Sequence, residues 1–174
     1  FSPASTQKAD TLLPRRKMYL GIEIGGTKLQ LGVGRADGSV LVALKRATVE
    51  PQLGAAGILE EIQRHGTALI QKHDIERIGI GFGGPVNAAT GRTIKSHQVG
   101  GWEDVALVQW CEQTLGRPTT VGNDCDVAAL AEAAFGAGRG AHTVFYVTVG
   151  TGVGGGLVID GKLYGAARPA VAEI

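Results

Sequence analysis

The stretch that decides the fold is YLGIEIGGTKLQLGVG, residues 19–34. Two short apolar segments, 19–24 and 29–34, flank the glycine turn Gly25-Gly26-Thr27. Asp37-Gly38 then marks a second tight turn, because both residue types tolerate the positive φ that a hairpin turn requires. Residues 40–49 continue as a third strand-like segment. The sequence therefore predicts an antiparallel meander of three strands.

The remainder of the chain alternates between helical and strand patterns. Apolar residues recur at helical spacing over 53–72, and we expect further helices over 104–115 and 127–135, with a loop over 86–101. Strands are predicted at 75–82, 119–122, 143–149 and 156–159. This order predicts an α/β fold in which helices pack on a mixed sheet that begins with the three-stranded meander.

The composition excludes several classes of protein. There are 28 glycines in 174 residues, but they lack the Gly-X-Y period of collagen. The formal net charge of +1 gives no electrostatic footprint for nucleic acid, and no apolar run reaches the roughly 20 residues of a membrane span. Residues 1–17 are polar and carry no signal-peptide pattern. We therefore expect a flexible tail over 1–17, a cytoplasmic location, and neither nucleic-acid nor membrane partners.

The glycine-rich turns are the first candidate binding elements. Two stretches, 79–84 and 150–155, match G-x-G-x-x-G, but a loop follows the first and a strand the second, which excludes a dinucleotide-binding fingerprint. The turns at 23–28 and 150–155 each join two strands and carry Gly and Thr. Backbone N–H groups in such turns can surround an anion, so the pair could hold the phosphates of a nucleotide. The alternative is that both are simply tight turns.

Asp124 is the first candidate catalytic residue. It follows the strand predicted at 119–122 and stands at the start of a helix, where the helix dipole stabilises an ionised carboxylate. That setting suits a base that accepts a hydroxyl proton, although a plain N-cap aspartate is the more common case. Asn123 beside it supplies a donor and an acceptor suited to a polyhydroxylated ligand.

Taken together, these motifs resemble the ROK family of sugar kinases and related repressors. The matching stretches are EIGGTK at 23–28, GFGGPVN at 81–87, GNDCDVAALAE at 122–132, GTGVGGG at 150–156 and AEI at 172–174. The resemblance implies a ribonuclease-H-like (actin-like ATPase) fold, with 18–174 as the N-terminal lobe of a two-lobed kinase whose C-terminal lobe is absent.

The resemblance also implies roles for individual residues. Asp124 matches the catalytic base, and Glu23 matches a carboxylate associated with the Mg²⁺ shell, where Asp is more usual. The positions that match sugar-binding residues are Gly83, Gly84, Asn123 and Glu173. The positions that match the two phosphate turns are Gly25, Gly26, Thr27, Lys28, Gly150, Thr151 and Gly152. Asp126 departs from the family pattern, and we expect its side chain to be solvated.

The implied function is ATP-dependent phosphorylation of a hexose such as glucose with Mg²⁺, by a full-length protein that forms homo-oligomers. We expect little activity from these 174 residues alone, and a structural zinc, if present, only in the missing lobe. Two alternatives remain open: a sugar-sensing transcriptional regulator of the same family, and a member of the wider superfamily that does not act on sugars. Polyphosphate also stays open as the phosphoryl donor.

Overall fold

The computed structural model describes residues 17–149 and 153–165 and the backbone of 172–173. The strands are β1 Met18–Ile24, β2 Lys28–Arg35, β3 Leu41–Thr48, β4 Ile75–Phe82, β5 Val86–Asn87, β6 Arg92–Thr93, β7 Thr119–Asn123, β8 Thr143–Val149, β9 Val153–Ile159, β10 Lys162–Leu163 and β11 Ala172–Glu173. The α-helices are α1 Gly54–Lys72, α2 Leu107–Leu115 and α3 Asp124–Phe135, and a 3₁₀ turn at Pro51–Leu53 precedes α1.

The main sheet has the strand order β3-β2-β1-β4-β7. β1, β2 and β3 pair antiparallel, whereas β4 lies parallel to β1 and β7 parallel to β4. The predicted α/β fold and its leading meander are therefore confirmed. A smaller sheet has β9 at its centre, with β8, β10 and β11 as antiparallel neighbours.

One face of the main sheet holds the hydrophobic core. Leu20, Ile22 and Ile24 alternate into it from β1, and α1 and α2 cover it. Both helices lie on this face because β1, β4 and β7 follow one another in the same direction, and each connection between parallel strands is right-handed. Trp102 is fully buried in the same core and packs edge-to-face on Phe82, with ring centroids 5.0 Å apart.

The opposite face of the main sheet is lined with glycines, and α3 lies over part of it. A Cβ at Gly81 would lie 3.6 Å from the Cα of Asp124, and one at Gly122 would lie 3.0 Å from a methyl group of Val127. α3 therefore approaches the sheet backbone closely at β4 and β7. On its other side α3 packs against β8 and β9.

The structure differs from the predicted elements at three places. α2 begins at Leu107 rather than at 104, because Asp104 has a φ of 53° and pairs with Arg92 at 2.6 Å. The predicted loop 86–101 contains the short β5–β6 hairpin. β9 begins at Val153, three residues earlier than predicted. No helix within the described residues is long and apolar enough to cross a membrane.

Candidate functional site

The candidate site lies where the parallel strands of the main sheet end. Ile24, Phe82 and Asn123 are the last residues of β1, β4 and β7, and the strand register places them side by side. Ligands of α/β sheets bind outside the carboxyl ends of such strands. The glycine turn after β1, the loop after β4 and Asp124 after β7 therefore meet at one edge.

Asp124 is positioned by the cap of α3. The Oδ1 of Asn123 accepts hydrogen bonds from the backbone N–H groups of Cys125 at 3.0 Å and Asp126 at 3.3 Å. This cap starts the helix at Asp124, so the carboxylate lies at the positive end of the helix dipole. Its Oδ1 accepts from the Cys125 N–H at 2.9 Å, and its Oδ2 lies 3.5 Å from the place that a Cβ would take at Gly83.

The loop after β4 is fixed beside Asp124 by two hydrogen bonds, and it approaches the backbone of Lys95 closely. The N–H of Gly83 donates to the carbonyl of Ile24 at 2.8 Å, and the Nδ2 of Asn123 donates to the carbonyl of Gly84 at 3.1 Å. A Cβ at Gly84 would lie 2.6 Å from the carbonyl oxygen of Lys95. The Asn123 side chain thus caps α3 and also holds the loop after β4. The residue is only 6% exposed. Its predicted contact with the sugar stays a prediction.

The first glycine turn closes through backbone hydrogen bonds. The N–H of Gly25 donates to the carbonyl of Lys28 at 2.9 Å, and the N–H of Val49 donates to the carbonyl of Thr27 at 3.0 Å. The place that a Cβ would take at Gly26 is filled by the side chain of Gln98. No pattern in the sequence pointed to Gln98, because the loop 94–106 that carries it lacks regular structure.

Glu23 takes part in a chain of polar contacts across the meander. Its Oε1 faces the Nζ of Lys28 at 3.5 Å, and its Oε2 accepts a hydrogen bond from the Nε2 of Gln30. The Nε of Arg46 donates to the Oε1 of Gln30 at 2.7 Å. The sequence motif identified Glu23 and Lys28. It missed Gln30 and Arg46, because their contact with Glu23 depends on the register of three strands.

Glu23 and Asp124 line one open groove of about 530 Å³ between the glycine face of the main sheet, α3 and β8. Mg²⁺ prefers oxygen ligands and commonly binds through one or two carboxylates together with substrate phosphates. The Glu23 carboxylate fits that pattern, and Asp124 stays free to act as a base. Within the described residues no three or more His, Cys, Asp or Glu side chains cluster as metal ligands, so phosphate oxygens would have to complete the shell.

Asp126 is buried, and the prediction that it is solvated is wrong. Only 9% of its surface is exposed, since β9 packs on this side of α3: a Cβ at Gly156 would lie 3.1 Å from the Cα of Asp126. Burial, and secondarily the charge of Asp124, raise the pKa of this carboxyl above its usual value. The residues that bury Asp126 come from later in the chain, so the local pattern could not reveal them.

Part of the predicted site lies outside the described residues. This applies to Gly150, Thr151 and Gly152 of the second glycine turn and to the side chain of Glu173. The backbone of Glu173 pairs with Gly154, which places β11 beside the strand that follows the second turn.

Comparison with known proteins defines the family. The model of the ROK family matches residues 19–174. The chain belongs to the ROK family.

Named relatives of this ROK protein include carbohydrate kinases. A glucokinase of Streptomyces coelicolor is 35% identical over 149 residues, which are 84% of this chain and 45% of that protein. A fructokinase of Zymomonas mobilis is 34% identical over 160 residues, 88% of this chain and 52% of that protein. The chain thus spans about half the length of the curated relatives it matches.

A solved structure shows the same fold. The crystal structure of a ROK family glucokinase from Streptomyces griseus, in complex with glucose and AMPPNP, is 34% identical to this chain with a TM-score of 0.80. The match covers 90% of this chain and 49% of that one. The predicted actin-like ATPase fold is confirmed by this likeness.

Proposed function

We propose that the full-length protein phosphorylates a hydroxyl group of a hexose with ATP as donor and Mg²⁺ as metal. The observation that carries the proposal is the position of Asp124, which faces Gly83 at the carboxyl edge of the sheet and shares a groove with Glu23. The glucokinase and fructokinase relatives support a hexose as acceptor, and the AMPPNP in the S. griseus enzyme supports ATP.

In the proposed reaction Asp124 is the general base. The hexose hydroxyl oxygen attacks the γ-phosphorus of ATP and forms the new O–P bond. The bond between the γ-phosphorus and the β,γ-bridging oxygen breaks, and its electron pair leaves with ADP. The hydroxyl proton passes to the Asp124 carboxylate, which lies at the N-terminus of α3. A positioned base of this kind contributes about 10²–10⁴-fold to the rate.

The remaining residues bind and orient the reactants. Phosphoryl transfer depends mainly on positioning and charge stabilisation. Gly83 and Gly84 would flank the sugar, with Asn123 and Glu173 as proposed hydroxyl partners. Gly25, Gly26 and Thr27 would approach the phosphates, opposite Gly150, Thr151 and Gly152, while Lys28 offers a positive charge. When bound, Mg²⁺ supplies charge neutralisation on the phosphates, and Glu23 would hold it together with phosphate oxygens.

A coupled assay of ADP release by the full-length protein, run across a panel of hexoses and N-acyl hexosamines, tests the proposal. We expect ADP release that depends on one or a few sugars and on Mg²⁺. Release of ADP with no sugar dependence would contradict the proposal. Sugar binding without any phosphorylation, from either ATP or polyphosphate, would instead support the sugar-sensing regulator. Size measurement of the same preparation tests the expected homo-oligomer.

A further inference from the structure

The polar contacts of Glu23 form a straight row across the meander. The strand register places Arg46 on β3 opposite Gln30 on β2, and Gln30 opposite Glu23 on β1. The next position in the row, on β4, is Gly81. Asp124 lies directly above Gly81, with its Cα 3.6 Å from where a Cβ would be. The row therefore runs from the sheet edge to a point beneath the proposed base.

The row has a defined polarity. Arg46 is only a donor, so the guanidinium contact of 2.7 Å requires the amide oxygen of Gln30 to face β3. The NH₂ group of Gln30 must then face β1, where it donates to Glu23. A flipped amide would place an oxygen against the carboxylate and an NH₂ group against the guanidinium. Arg46 thus determines which group Gln30 presents to Glu23.

Glu23 needs such support because its side chain is long and about half exposed. Its side chain is 47% exposed, and a flexible exposed carboxylate loses rotamer entropy when it is held in one place. Gln30 binds one carboxylate oxygen and Lys28 lies near the other. These contacts hold the carboxylate in the groove that Asp124 also lines.

We propose that Gln30 and Arg46 are positioning residues, which fix the Glu23 carboxylate for the Mg²⁺ that accompanies the nucleotide. The inference rests on the proposed function, because it requires a nucleotide–metal complex at this edge of the sheet. Neither residue needs to contact that complex. Arg46 orients Gln30, and Gln30 orients Glu23.

The test is the affinity of the full-length protein for ADP, measured by calorimetry with and without Mg²⁺. In the wild type we expect Mg²⁺ to strengthen ADP binding. Partners that orient a metal-binding carboxylate are typically worth about 10-fold or more in metal affinity. The factor by which Mg²⁺ strengthens ADP binding should therefore fall about 10-fold in Gln30→Leu and in Arg46→Met. A similar fall is expected in Glu23→Gln. In Gln30→Leu and Arg46→Met, binding of ADP without Mg²⁺ should change little.

Two comparisons separate positioning from a general effect of charge or stability. Lys45→Met removes a positive charge from the neighbouring position of β3, which pairs with Leu31 rather than Gln30, and should leave the gain unchanged. Arg46→Lys retains a donor, so its loss of the Mg²⁺-dependent gain should be smaller than the loss in Arg46→Met. In a Gln30→Leu background, Arg46→Met should cause no further loss, because the row is already broken.

The outcomes distinguish this inference from the proposed function. An unchanged Mg²⁺-dependent gain in Gln30→Leu and Arg46→Met, with ADP binding and sugar phosphorylation intact, would overturn the inference alone. Independent, multiplying losses from the two substitutions, or an equal loss in Lys45→Met, would also overturn it. A wild type that binds no ADP at all would overturn the proposed function and the inference together.

Discussion

Asn123 fixes two parts of the candidate site, the start of α3 and the loop after β4. Its Oδ1 caps α3, and its Nδ2 holds the carbonyl of Gly84. The same side chain therefore determines where the helix begins and where the loop beside Asp124 lies. The motif predicted a polar residue beside a base, but the two structural contacts depend on the approach of a loop 39 residues earlier in the chain.

Asn123→Ala should destabilise the protein through both contacts. Loss of an N-cap costs about 0.5–2 kcal/mol, and an unpaired buried acceptor such as the Gly84 carbonyl adds about 1–3 kcal/mol. Asn123→Ser keeps a capping oxygen and loses the donor to Gly84, so it should be less harmful. Urea unfolding of the three proteins measures the difference; equal stability of Asn123→Ala and the wild type would contradict the two assigned contacts.

Asp126 should make stability depend on pH. Because burial raises the pKa of its carboxyl in the folded state, the folded protein binds this proton more tightly than the unfolded chain does. The resulting stabilisation is complete below the unfolded pKa of about 3.9 and is lost as the pH rises through the higher folded pKa. Asp126→Asn removes the ionisation.

The measurement is the difference in the free energy of unfolding between Asp126→Asn and the wild type as a function of pH. The variant should gain stability relative to the wild type as the pH rises from acid to neutral. A pH-independent difference, or one that changes in favour of the wild type as pH rises, would show that burial does not penalise the ionised form.

At the scale of elements, the sequence predicted most of the main sheet. β1 to β4 and α1 agree with the expected segments to within a few residues, because alternating or helical apolar spacing and glycine or proline boundaries are local signals. The β5–β6 hairpin and the start of α2 were missed. Their geometry depends on non-local contacts, such as the hydroxyl of Thr93 donating to the carbonyl of Trp102 at 2.6 Å.

The close packing of α3 on β9 gives a prediction at this scale. At Gly156 an added methyl group would lie 2.8 Å from the carbonyl oxygen of Cys125 and 2.7 Å from the Cβ of Ala129. Gly156→Ala should therefore push α3 away from β9 and destabilise the protein by about 1–3 kcal/mol. The backbone carbonyl cannot move aside as a flexible side chain could.

Gly81→Ala is the matched control. It is also a strand glycine beneath α3, but its added methyl group would meet no atom closer than 3.6 Å. Thermal unfolding should show a clearly lower midpoint for Gly156→Ala than for Gly81→Ala. Equal midpoints would mean that the approach of α3 to β9 is looser than described.

At the scale of the whole molecule, α3 is the element that joins the two sheets. Its first residue is the proposed base, one of its sides lies over the main sheet, and another packs on β8 and β9. The sequence indicated both hairpins and both glycine turns. It could not show that α3 lies between the main sheet and the smaller sheet, because the contacts of α3 with β9 depend on tertiary packing rather than on local sequence.

The groove between the main sheet, α3 and β8 places Glu23 and Asp124 together, and the central claim is that Asp124 is the base for sugar phosphorylation there. The most direct measurement compares sugar-dependent ADP release and sugar binding in full-length wild type and Asp124→Asn. Asp160→Asn, a change of the same kind in the exposed β9–β10 turn, serves as control.

Asp124→Asn should reduce the turnover number by about 10²–10⁴-fold, because the amide cannot accept the hydroxyl proton, while the dissociation constant for the sugar stays within a few-fold of the wild type. Asp160→Asn should leave both unchanged. A turnover number in Asp124→Asn equal to that of the wild type would contradict the account.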